Sequence, residues 1–140
     1  MNFDMVGPAI VLGLGCLGSG IGCSIAGMAS HGVMTRVEEG HGKFIVLSAV
    51  PSTHSILGFI LMVLMKNAIK IGTLTPLSGL GIGLFTGLAM MVVAIYQGKC
   101  AATAIQASAK HPALFGKVFA AVGIVESFSI FAFVFSLLLL

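Results

Sequence analysis

Charge is what this sequence lacks most. Only 8% of its 140 residues are Asp, Glu, Lys or Arg, while 58% are hydrophobic. A soluble domain carries about 25% charged residues, so a water-covered globule of this composition is excluded. There is no Trp and a single Tyr. The three cysteines, Cys16, Cys23 and Cys100, all sit within apolar runs. Cys16 and Cys23 would lie about 10 Å apart along a helix axis, too far to bridge, and read as small packing residues. No nucleophile–base pair, phosphate loop, metal cluster or haem motif occurs in the sequence. Neither catalytic chemistry nor a cofactor is therefore expected. Gly13-Leu14-Gly15-Cys16-Leu17-Gly18 fits GxGxxG, but that fingerprint needs a preceding strand and a later acidic residue. Inside an apolar run it reads as helix packing.

What the chain has is apolar length. About 20 residues of helix cross the ~30 Å hydrocarbon core of a bilayer. Four windows qualify: 5–29, 44–65 and 71–98 without any charge, and 118–140 with Glu126 alone. The fold class read from this is an all-α integral membrane protein with no soluble domain. Its four transmembrane helices form two fused hairpins, 1–70 (helices about 5–30 and 43–69) and 71–140 (helices about 76–108 and 115–140). Asp4, with no Lys or Arg before it, and the long first run predict an uncleaved span rather than a signal peptide.

The net charge of +3 does not point to nucleic acid, because the basic residues lie at span ends. Arg36, Lys43, Lys99, Lys110 and Lys117 surround the first and third connections; only Lys66 and Lys70 mark the second. The positive-inside rule then places the first and third connections in the cytoplasm and both termini outside.

The halves repeat. Gly42-Lys43-Phe44-Ile45 and Gly116-Lys117-Val118-Phe119 open corresponding helices. The same register pairs Ser55 with Ser129, Phe59 with Phe133, and Ser52 with Glu126. The first and third spans are rich in small residues. Gly18, Gly22, Ala26 and Ser30 follow at four-residue steps, as do Gly15, Ser19, Cys23 and Gly27, and as do Gly79, Gly83 and Gly87. Such ladders let backbones approach closely where lipid supplies no hydrophobic drive. Two ladders on one helix serve more neighbours than a single four-helix bundle offers. We expect Gly15, Gly18, Gly22, Gly79, Gly83 and Gly87 to pack an inner layer across identical copies. The bulky second and fourth spans would then face lipid.

Glu126 lies nine residues beyond Lys117, in mid-span. An ionised carboxylate there costs several kcal/mol, and such residues mark ion pathways. Apolar surroundings favour the protonated form of a carboxyl group. It could carry a proton, or a cation completed by other oxygens. Polar groups of matching depth are Ser52, Thr53 and His54 after Pro51, and Tyr96 and Gln97 in the third span. Pro51 should kink its helix and free carbonyls, which is tolerated only inside protein.

Together the Gly-rich first span, "VPSTHSILGF", "YQGKCAATAIQ" and "FAAVGIVESFSIFAFVFSLLL" resemble the proteolipid subunit (K or c) of bacterial V-type (A/V-type) ATPases over nearly the whole chain. The resemblance implies a multi-pass subunit of the cell (inner) membrane, in a ring of identical copies, without catalytic chemistry of its own. Glu126 would exchange an ion with a stator subunit bearing an essential Arg, and the cytoplasmic connections would dock on a central stalk. Ring rotation would couple to ATP hydrolysis or synthesis. The sodium-carrying relatives resemble this chain at Thr53, Gln97 and Glu126, but have Gln at His54 and Tyr at Leu57. These departures favour H+ over the alternative, Na+, with Thr53, His54 and Gln97 tuning Glu126. A small multidrug antiporter also has four spans and one carboxylate, but carries it in the first helix together with Trp.

Overall fold

Within hydrocarbon every backbone N–H and C=O must find its partner in the protein, and the chain meets this by being helical nearly throughout. The computed structural model describes residues 3–140. Helix α1 spans Val6–Met34, α2 His41–Ala49, α3 Thr53–Ile71, α4 Pro76–Lys110 and α5 Phe115–Leu137. A 3₁₀ turn, Val50–Ser52, joins α2 to α3, and another, Pro112–Leu114, leads into α5. No strand occurs among the described residues. Four segments are long and apolar enough to cross a membrane: Val6–Met34, His41–Ile71, Pro76–Lys110 and Pro112–Leu137. The protein is thus an all-α, multi-pass membrane protein, as its composition requires. The first span runs four residues past the expected end at 30.

Local chemistry sets the joints. Gly72 stops α3 with φ 84°, a left-handed conformation that glycine adopts without penalty. Three residues later Thr75 caps α4, its Oγ1 accepting the Ser78 N–H at 3.2 Å, with Pro76 in the first turn where its missing N–H does no harm. The connection therefore needs no more than a tight reversal.

Helices α1 and α4 form the closest pair, and they run parallel. Gly7 lies against Gly79, Gly18 against Met91, and Gly22 against Ala94 and Gly98. A Cβ on Gly18 would sit 2.5 Å from the Met91 Cα, and one on Gly87 would sit 2.8 Å from a Leu14 methyl. Real Cβ atoms essentially never come within 3.0 Å of another heavy atom. On its second face α1 receives the middle of the second span. A Cβ on Gly15 would lie 2.9 Å from the His54 carbonyl, and one on Gly58 3.0 Å from the Val11 carbonyl. There Ser19 Oγ also accepts the Ser55 N–H at 3.0 Å.

Apolar packing divides into two clusters. One gathers Ala26, Phe44, Leu47, Ala101, Ala104, Ile105 and Val122. The other gathers Val11, Leu61, Met65, Ala68, Leu74 and Met90, with Phe133 and Leu137 against it. Helix α5 is held along a thin seam, burying only Val122, Ser129 and Ser136 at seven-residue steps. Thr86 and Ser136 join across that seam, oxygen to oxygen, at 2.6 Å. Ile56, Phe59, Phe128, Phe131 and Phe135 stand exposed, as large apolar side chains do in lipid.

Both small-residue faces are therefore used largely within one copy. Gly15, Gly18, Gly22, Gly83 and Gly87 face α1, α4 or the second span of the same chain, and a Cβ on Gly79 would lie 3.3 and 3.5 Å from the Ile69 and Leu74 side chains. Gly13, Gly20 and Gly27 have nothing near them. Replacing Gly22 or Gly83 with Leu should destabilise the chain by about 1–3 kcal/mol through overpacking. Gly20→Leu should not. Unfolding in detergent by increasing SDS would measure it, and parental stability in both buried variants would remove the close approach as a source of stability.

Candidate functional site

The site lies at the junction of the two apolar clusters and begins with the break at Pro51. A proline ring removes one helical hydrogen bond and displaces the preceding turn. In and just after the 3₁₀ turn, three carbonyls are met by side chains three residues ahead. Ser52 Oγ donates to Ala49 O at 2.7 Å, Thr53 Oγ1 to Val50 O at 3.1 Å, and His54 Nδ1 to Pro51 O at 3.1 Å. The expected kink is thus a 3₁₀ turn stitched by its own polar residues. His54 is pulled into the protein and is fully buried.

Across from it, α4 brings Gln97, also fully buried. Its amide Nε2 donates to Val122 O at 3.3 Å and to Glu126 Oε2 at 3.3 Å, both on α5. The Val122 carbonyl can only accept, so it fixes which end of the amide faces α5. Glu126 stands four residues past Val122 and three before Ser129, beside the buried seam, and is half-buried. Its carboxyl is anchored from inside by Gln97 while its own helix lies mostly open to the surroundings. His54 is within electrostatic reach of Glu126.

Glu126, Gln97 and His54 are brought together. Thr53 is next to His54, its hydroxyl 3.4 Å from Nδ1, but spends its hydrogen on the Val50 carbonyl rather than on the carboxyl. Tyr96 is exposed on the other side of α4, with Lys99 Nζ 4.6 Å from its ring centre. Two backbone carbonyls, Pro51 O and Val122 O, belong to the site and leave no residue-type signal in the sequence. Ser129 is legible there only as the repeat partner of Ser55. It is fully buried, with a hydroxyl that meets no partner. No group of three or more His, Cys, Asp or Glu that could hold a metal occurs among the described residues. A cavity between the ends of α1 and α4, lined by Met28, Val33, Arg36, Gln106 and Lys110 among others, shares no residue with the carboxyl site.

The geometry is thus a half-buried carboxyl on one apolar span tied to a buried amide on its neighbour. The family model of the ATP synthase C subunit matches the chain twice, over residues 6–65 and 80–139. The chain belongs to the ATP synthase C-subunit family. The two matches fall on the two halves of the repeat, one on the half with Glu126 and one on the half where Ser52 takes the corresponding place. Among its relatives is the A-type ATP synthase subunit K of Methanocaldococcus jannaschii, 33% identical over 96% of this chain; the chain spans 60% of that protein's length. Another is the V-type sodium ATPase subunit K of Enterococcus hirae, 33% identical over 99% of this chain and 90% of the relative. The resemblance to V-type proteolipid subunits thus extends beyond the motifs that first carried it.

The break at Pro51 should fix the His54 ring as its Nδ1–H tautomer. Solid-state NMR of ring nitrogens, with His54→Gln to assign the signal, should show that single tautomer. Pro51→Ala, which lets the helix close, should mix the two. A parent ring protonated at Nε2 alone would overturn this reading.

Proposed function

We propose that this chain is a rotor subunit of a membrane ATPase or ATP synthase of the A/V type and that Glu126 carries a proton across the membrane. The observation that carries the proposal is the place of Glu126. It is the one carboxyl within the four spans, half-buried at the edge of α5 and held by Gln97. A charged carboxylate facing lipid costs several kcal/mol, so the carboxyl travels neutral and gives up its proton only where water and a cation receive it. Identical copies form a closed ring in the cell (inner) membrane, a stator subunit with an essential Arg discharges each Glu126, and a central stalk transmits the rotation. The hairpins 1–70 and 71–140 are the units of the duplication. The cluster of Arg36, Lys43, Lys99, Lys110 and Lys117 supports a cytoplasmic side for the first and third connections, with both termini outside. Gly15, Gly18, Gly22, Gly79, Gly83 and Gly87 serve the ring by holding each copy narrow, which leaves the Gly13, Gly20 and Gly27 face of α1 for a neighbour.

Sodium is the second reading, favoured by the name of the Enterococcus hirae relative. Against it, His54 and Leu57 bring no side-chain oxygen where an ion would need several in place of its water. Thr53 Oγ1, whose hydrogen lies on Val50 O, keeps its lone pairs and could supply one oxygen, which alone is too few.

Glu126→Gln should abolish ion transport in the reconstituted enzyme while the ring still assembles, because Gln keeps the shape and cannot titrate. Transport at the parental rate would remove Glu126 from the mechanism. Carbodiimide attacks the protonated carboxyl, so labelling of Glu126 should fall as pH rises and be indifferent to millimolar sodium at fixed ionic strength. Protection by sodium but not by potassium would establish the second reading.

A further inference from the structure

Hydrogen-bond donors and acceptors do not balance around Glu126. His54 Nδ1 is 3.1 Å from Pro51 O, a pure acceptor, so the ring hydrogen sits on Nδ1 and Nε2 is left as a bare acceptor. That Nε2 is sealed from solvent and meets no partner. Gln97 uses both amide hydrogens, on Val122 O and on Glu126 Oε2. Its Oε1 is likewise sealed and unpartnered. No hydroxyl reaches either acceptor, that of Ser129 included. Two buried acceptors, one on α3 and one on α4, are thus left without a donor; Gln97 is bonded to the Glu126 carboxyl on α5, and His54 lies within electrostatic reach of it. Unmet acceptors in a low-dielectric interior are costly, and polar sites of this kind hold ordered water.

We propose that the site binds one water molecule bridging His54 Nε2, Gln97 Oε1 and the protonated Glu126 carboxyl. The proposal rests on the proton reading. One water hydrogen goes to His54 Nε2 and the other to Gln97 Oε1, while the water oxygen accepts the hydrogen of the neutral carboxyl. Every hydrogen then has an acceptor, the assembly carries no net charge, and the water makes three hydrogen bonds, the usual number for a buried water. When Glu126 is ionised, three acceptors compete for two hydrogens and one goes unmet. The water therefore belongs to the loaded state, and His54 is a positioning residue that acts on Glu126 through it. A side chain without an acceptor at position 54 would leave the water one partner short.

Cryo-electron microscopy of the intact complex, at a resolution that shows ordered water and at acidic pH, tests this in potassium buffer with and without added sodium. The expected result is a density at about 2.7–3.0 Å from His54 Nε2, Gln97 Oε1 and the Glu126 carboxyl, the same in both buffers. No density in either buffer, with Glu126 labelling still indifferent to sodium, would overturn the water site and leave the proton reading standing. A density that appears only with sodium, at distances shorter than a hydrogen bond, would overturn both. His54→Leu should lose the density and His54→Gln, which restores an acceptor, should recover it. A density retained in His54→Leu would refute the role of His54. If His54→Leu does not assemble, the parental maps and His54→Gln still decide.

Discussion

Two helices in hydrocarbon gain nothing by hiding apolar surface from water, because lipid is as apolar as they are. What joins them is the fit of one backbone against another. In this chain that fit is the parallel contact of α1 with α4, made through Gly7, Gly18, Gly22, Gly83, Gly87 and Gly98. Gly7, Gly18, Gly22, Gly83 and Gly98 face backbone where no Cβ fits, and Gly87 faces the Leu14 side chain. The depth of every other element is referred to this pair. Helix α3 reaches its level because Gly15 admits the His54 carbonyl and Ser19 takes the Ser55 N–H. Helix α5 reaches its level through Gln97 and Thr86 of α4. A shift of α1 along α4 by one turn would move His54 about 5.4 Å from Gln97 and dismantle the site.

The proline break solves a different problem. A polar site inside a membrane span needs groups that point inward, but a regular helix has no backbone to spare. At Pro51 the helix passes through a 3₁₀ turn, and Ser52, Thr53 and His54 each turn back to a carbonyl three residues before. Of these, only His54 has a second polar atom left to offer inward, and it is the only one of the three that is fully buried. Serine and threonine at those positions finish the local repair; histidine both repairs and presents.

The spans, the break and the pairing of Glu126 with Gln97 are legible in the sequence because each leaves a residue-type signal: apolar length, a proline, and polar side chains at equal depth. The use of the glycine faces is not. Gly18-Gly22-Ala26 and Gly15-Ser19-Cys23 look alike as ladders, and both also look like surfaces for other copies. In the fold the first meets α4 and the second starts on the second span before running out into the open at Gly27. Periodicity records that a backbone approaches, not whose backbone it is. Depth alone makes Thr53 a partner of the carboxyl, whereas the nearer Val50 carbonyl takes its hydroxyl hydrogen. Local repair outweighs distant chemistry when one short side chain can serve only one acceptor.

The thin seam of α5 bears on function most directly. A helix locked by a broad face would bury its carboxyl beyond reach; one without inward bonds would leave it wholly in lipid. Val122, Ser129 and Ser136 hold α5 at seven-residue intervals, which keeps the contact to a stripe about one side chain wide. Glu126, four residues past the first of these and three before the second, falls at the edge of the stripe. Its backbone is fixed by the seam and one oxygen is tied to Gln97, while the rest of the head group stays at the border of the protein. The anchor holds the carboxyl at a constant depth, and the open side would give the proposed stator partner access to it. Both follow from placing a single acid one turn off a heptad line of small buried residues.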